Sequence, residues 1–380
     1  MSNLETSHNP LLEVLLPRAF CSSLVQDAIC TMSASHMANG TSLDQLSLRN
    51  AEITYHGRTL SGVRNALAKL PKQDMFSSSH TTLVEEIILA VASVCKYEAV
   101  RGNIKSWRGH LEALQNLVDY CGGYKNMDVY IADWVSGLVI YWQHLAKLTN
   151  PKFAAGLVFC DGLYDAPKVD LYLGCSEQLV KICARISDLR FFAHSTAALI
   201  KEVTETNNIL ISWSCDEQDF IIPKGVSKVT FERLRVIADY YRYGAFIFLH
   251  STIEGISQSS PLELQGSQST FWDMVHSLVA FTKPVALQHL VSLLRSFPPD
   301  SHPEFSGLVF PLFIAGCECE DNEQLTMILK SLHTLEVNFG IHNTKRAQEV
   351  LVILTQLRCE GKPKHWLDLL EELEWELILV

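Results

Sequence analysis

The chain has 380 residues, of which 48% are hydrophobic and 19% charged, and its formal net charge is −11. Apolar residues run through almost every segment, which excludes a disordered chain and supplies a large core. The acidic balance, with Lys345 and Arg346 as no more than an isolated basic pair, argues against autonomous binding of duplex nucleic acid, which needs cations against phosphates.

In chain order the pattern is helical. Helices are expected at about 21–38 and 43–69. From Thr82, "TLVEEIILAVASVCKYEAV" puts Val84, Ile87, Ile88, Val91, Val94 and Cys95 on one stripe. Thr82 and Glu85 have capping-box spacing, which predicts the start of that helix. "SWRGHLEALQNLVDYCGG" repeats the pattern with Trp107, Leu111, Leu114, Leu117 and Val118, and Gly122 and Gly123 supply a stop. These two segments predict an antiparallel pair. Further helices are expected at 127–147, 175–190, 194–211, 228–254, 270–296, 322–338, 343–358 and 365–378. The fold class is all-α, a large irregular helical array with a long loop or linker region.

Residues 1–380 are expected to form one domain, with subdivision near 150–173 and 255–269, where Pro, Gly, Asp, Ser and Gln accumulate. "GLVFPLFIAG" (307–316) is apolar but too short to span a bilayer, as is "WVSGLVIYW" (134–142). It predicts a buried helix kinked at Pro311. The eleven cysteines are odd in number and the first ten residues lack the layout of a secretory signal. They predict free, mostly buried thiols in a reducing, intracellular setting.

Two acidic clusters, "SCDEQDF" (214–220) and "CECEDNEQL" (317–325), raise the question of a metal site. Asp216, Glu217 and Asp219 lack the D-D-x-x-D spacing with which helical terpenoid cyclases hold Mg²⁺ on a diphosphate, and the second cluster reads as a solvated helix entry. His36, His110 and His250 lie on apolar faces without a nucleophile or partner motif, so hydrogen-bonded core is the expectation for each. No glycine-rich stretch follows a strand, so no phosphate cradle is predicted. No catalytic residue, metal or cofactor is expected. The aromatics of "DYYRYGAFIF" (239–248) suit a core first and the wall of an apolar ligand pocket second. Tyr240, Tyr243 and Phe246, with Phe310 and Phe313, are the candidate pocket residues. "WLDLLEELEWELILV" (366–380) is an acidic amphipathic end, read as a terminal capping helix.

Four stretches together resemble the fungal-specific transcription factor domain, the regulatory region of zinc-cluster transcription factors. "LPRAFCSSLVQDAICTMSASHMA" (16–38) looks like its opening helix and residues 83–123 like its paired helices. "YLGCSEQLVKICARISDL" (172–189) resembles its glycine–x–serine helix, and "FSGLVFPLFIAGCE" (305–318) its late signature, with "RAQEVL" (346–351) and a tryptophan-bearing helix following. The six-cysteine zinc-cluster module of that family is not found in the sequence, a departure shared with stand-alone regulators of secondary-metabolite clusters. The resemblance implies a nuclear transcriptional regulator that works through a DNA-binding factor or coactivator. A small apolar ligand and a homodimer are further expectations, and direct nucleic acid or membrane binding is not. An enzyme on the same scaffold, a metal-dependent terpenoid cyclase using Asp216, Glu217 and Asp219, is the alternative.

Overall fold

The computed structural model describes residues 11–39, 44–71, 78–102, 104–150, 169–170, 173–259 and 268–379. Among them the chain forms fifteen α-helices and no strand, as the periodicity predicts. The predicted linker regions fall largely at 151–168 and 260–267, outside the described residues.

The first part of the chain is built on α1 (Leu16–Cys21), α2 (Ser23–Asn39), α3 (Gln45–Leu67) and α4 (Ser78–Arg101). α2, α3 and α4 pack against one another, and α5 (Ile104–Tyr120) returns along α4. Both predicted stripes are buried, from Val84 to Cys95 and from Trp107 to Val118. Gly122 and Gly123 end α5 at φ 79° and 93°, a region that costs a side chain energy. The predicted capping box is not used, because α4 begins at Ser78, a turn before Thr82. Glu85 is instead buried, accepting from Arg18 at 3.2 Å and from the Asp128 backbone N–H at 2.7 Å. One carboxylate thereby ties α1 and α4 to the start of α6 (Val129–Thr149).

Asp128 caps α6 by accepting from the N–H groups of Tyr130 and Ile131. α7 (Glu177–Asp188) lies on α6, and α8 (Thr196–Ser212) starts at Ser195, whose hydroxyl accepts from Ala198 N–H. The longest helix, α9 (Lys228–Ser259), packs on α7 and α8. It also packs on α10 (Gln268–Ser277), α11 (Lys283–Ser296) and α12 (Val309–Glu318). Every residue from Gly244 to Ile253 is buried, as expected of a helix covered on all sides.

The helix predicted over 270–296 is two helices. Thr282 is extended and Pro284 stands in the first turn of α11, where a missing N–H costs no hydrogen bond. The same chemistry corrects the reading of Pro311. It is the third residue of α12, after a 3₁₀ segment at Pro303–Leu308, so it opens a helix rather than kinking one. α12 is buried from Val309 to Cys317, and α13 (Asn322–Phe339) and α14 (His342–Cys359) pack on it. The Arg358 guanidinium donates to the carbonyls of Cys317 and Cys319, closing the end of α12 with a cation.

α15 (Trp366–Glu372) is shorter than the predicted 365–378. Glu374 takes φ 51°, and the Trp375 N–H bonds back to Leu370 O at 2.9 Å, a Schellman-type stop. The chain then leaves the helix and enters the core, with Leu377, Ile378 and Leu379 buried. One contiguous apolar cluster includes both Val14 and Leu379. Among the described residues no helix is long and apolar enough to cross a membrane.

Candidate functional site

The region with most chemistry is the junction of α9, α11, α12 and α15. Four of the five candidate pocket residues are fully buried: Tyr240, Phe246, Phe310 and Phe313. They do not share one wall. Tyr243 stacks on His289 with centroids 4.8 Å apart, and Phe246 meets Phe281 edge-on at 5.0 Å, on the α11 side of α9. On the α12 side, Phe310 contacts Tyr241 and Phe248 at 6.1 and 5.6 Å, and Phe313 meets Trp366 of α15 at 5.5 Å. Tyr240 donates its hydroxyl to Phe297 O at 3.0 Å, past the end of α11. Close aromatic packing on both sides is what a buried helix crossing needs.

The helix crossing itself depends on Gly244. A Cβ there would stand 3.2 Å from Pro311 Cα, inside ordinary contact distance, so α9 and α12 meet backbone to backbone at this point.

A polar network crosses the same junction, and periodicity alone did not reveal it. Ser251, wholly buried on α9, donates to Glu318 Oε1 at 2.7 Å and accepts from Trp366 Nε1–H at 3.2 Å. His365 Nε2 lies 3.1 Å from both the Ser251 hydroxyl and its carbonyl. A carbonyl only accepts, so Nε2 carries the proton; His365 Nδ1 then accepts from Leu367 N–H and caps α15. Lys283 Nζ bridges Glu254 and Glu318, each at 2.8 Å. Burial works to raise the Glu318 carboxyl, but the Lys283 charge and the hydrogen bonds from Lys283 and Ser251 hold it below its ordinary range. Burial likewise works against the Lys283 ammonium, and its two carboxylates hold it above its usual value.

Serine, histidine and a carboxylate meet here without the order a nucleophile needs. The carboxylate takes the serine proton and does not orient the histidine, and His365 donates toward Ser251 instead of accepting from it. The network is therefore a connector between helices. Its signal in the sequence was weak: Ser251 and Glu254 interrupt apolar stripes one at a time, and Glu318, expected in a solvated helix entry, is instead a largely buried carboxylate at the end of α12.

His250, expected as a bonded core residue, is buried at 3% exposure. Its Nε2–H donates to Phe281 O at 2.9 Å and its Nδ1 accepts from His276 at 2.8 Å. Burial pushes both imidazoles below their ordinary value.

The acidic stretch of the alternative reading forms a 3₁₀ turn at Glu217–Asp219. Asp216, Glu217, Gln218 and Asp219 line an open depression of about 540 Å³, and all four are exposed. Among the described residues no group of three or more His, Cys, Asp or Glu is arranged to hold a metal.

Comparison with curated proteins and with solved structures finds no match. The match to the fungal specific transcription factor domain covers residues 1–380. The four stretches that carried the resemblance fall on α1–α2, α4–α5, α7 and the 3₁₀ segment with α12. On the match over residues 1–380, the chain belongs to the fungal specific transcription factor domain family.

Proposed function

We propose that the protein regulates transcription of a fungal secondary-metabolite gene cluster from the nucleus, acting through a DNA-binding factor or a coactivator. The observation that carries this reading is the family match over residues 1–380. The net charge of −11 favours action through proteins over direct contact with phosphates. Residues 1–380 act as one regulatory domain on this reading, supported by the apolar cluster that reaches from Val14 to Leu379. A small apolar ligand beside Phe310 and Phe313 would modulate it by binding two arrangements of the α9–α12 crossing unequally.

Transcript profiling of a strain with the gene deleted tests the proposal. A coordinated loss of transcripts from neighbouring biosynthetic genes is the expected result. Unchanged transcripts together with an accumulated pathway intermediate would overturn it in favour of an enzymatic role.

A further inference from the structure

α3 packs on α2 and α4 and leaves one full face bare. Leu46, Ile53, Leu60 and Leu67 follow one another at seven-residue steps along it, which keeps them on one side of a helix. Leu46 is 76% exposed, Ile53 67% and Leu67 43%, while Leu60 is half-buried. Beside this row run Asn50, Gly57 and Arg64, all exposed, and then Ser47, Thr54 and Ser61. Single exposed aliphatics are common on any protein, but a row along a 23-residue helix is not.

Two further observations say what suits this face. The first is charge. Arg64 is exposed beside the row and Arg58 is exposed at the far edge of the bare face, while Arg49 and Arg101 lie at the opposite flank, both paired with Glu52. Glu52 is the one acidic residue of α3 and it is buried. In a chain of net charge −11 this helix offers a cationic, apolar surface. The second is Gly57. It stands at the middle of the helix, where glycine is disfavoured, and a Cβ there would meet nothing within 4 Å. No neighbour among the described residues requires it, whereas a second helix crossing at this point would.

We infer that the exposed face of α3 is a docking surface for an acidic amphipathic helix of a partner protein, laid across Gly57 with its apolar residues on Leu46, Ile53 and Leu67 and its carboxylates against Arg58 and Arg64. A second copy of this chain is the weaker fit: in a parallel pairing Arg58 and Arg64 oppose their own equivalents, and an antiparallel one leaves both cations without carboxylates. The inference rests on the reading that the protein acts through protein contacts, and it adds where such a contact is made. The transcript experiment above does not involve α3, so each can fail without the other.

The test uses the full chain and a fluorescent synthetic helical peptide of about 20 residues, with leucines on one face and glutamates flanking them, followed by anisotropy. A peptide with lysines in place of the glutamates is the control. Saturable binding of the acidic peptide, weakened by salt, is expected. Ile53→Glu and the double variant Arg58→Glu/Arg64→Glu should each weaken it about tenfold or more while circular dichroism stays unchanged. Gly57→Gln separates docking from folding, because it should raise the melting temperature and still lower affinity. No binding of the acidic peptide, equal binding of both peptides, or affinities unmoved by these variants would overturn the proposal. So would sedimentation of the wild-type chain as a dimer that Ile53→Glu converts to monomer, since the face would then serve self-association.

Discussion

Two glycines in helix interiors allow one substitution to be made in opposite settings. Glycine to alanine in a helix gains about 1 kcal/mol from backbone entropy alone. At Gly57 nothing lies within 4 Å of the new methyl, so Gly57→Ala should be stabilised by about that amount. At Gly244 the same methyl would sit 3.2 Å from Pro311 Cα and 3.3 Å from Pro311 Cβ. Carbon atoms are comfortable at roughly 3.5–4.0 Å, and neither the backbone nor the ring of a proline in a buried first turn swings aside. Overpacking of this kind costs about 1–3 kcal/mol. The entropy gain is common to both sites, so the difference between the two variants isolates the steric cost and should also be about 1–3 kcal/mol. Urea unfolding with unchanged m-values reads it directly as a separation of midpoints. If Gly244→Ala is stabilised as much as Gly57→Ala, the close crossing of α9 and α12 is not a constraint and the reasoning about Pro311 is wrong.

Stability should fall in mild acid. Burial holds His250, His276 and His365 below their ordinary value, and nearby Lys283 opposes protonation of the first two. The unfolded chain takes up protons from about pH 6.5 downward while the folded chain resists, so stability is full above that value and is lost as pH falls below it. His276→Asn keeps a donor near the position of Nδ1 and should flatten this slope in thermal melts; a slope unchanged by the variant would exclude the pair. Trp366→Ala removes a ring that is 1% exposed and packed against Phe313, and should cost about 3–5 kcal/mol by chemical denaturation. Trp366→Phe, which keeps a ring and loses the N–H to Ser251, should cost about 1 kcal/mol. Glu374→Gly should stabilise by about 1 kcal/mol, because φ 51° strains any residue with a Cβ, and an unchanged midpoint would argue against that backbone.

How far the sequence reached depends on how local the physics is. The α4–α5 pair was legible because each helix writes its buried stripe in its own residues, and α5 ends in paired glycines. The break between α10 and α11 was not, since Val279 and Phe281 carry the apolar rhythm across a gap that Pro284 turns into a new start. The last residues misled in the opposite way. "EWELILV" has helical periodicity, yet burial of Leu377, Ile378 and Leu379 outweighs it. The polar network was out of reach because Ser251 and His365 are 114 positions apart, and either one alone looks like an ordinary polar residue. Of the aromatic set, Tyr240, Phe246, Phe310 and Phe313 are buried and Tyr243 is half-buried, and their division between two sides of α9 depends on where α11 and α12 settle.

The segment after α15 has a bearing on how the protein is made. Leu377 O accepts from the Thr149 hydroxyl at the end of α6, Arg108 of α5 grips Glu376 at 2.6 Å, and Arg346 of α14 covers the Trp375 ring at 4.9 Å. Synthesis delivers these residues after all the helices they join. While they are still within the ribosome, the emerging polypeptide carries an open apolar seam along α5, α6 and α14, the kind of surface that chaperones recognise. Deleting Trp375–Leu379 would therefore leave that seam open for good, with the product cleared by proteolysis instead of persisting as a trimmed regulator.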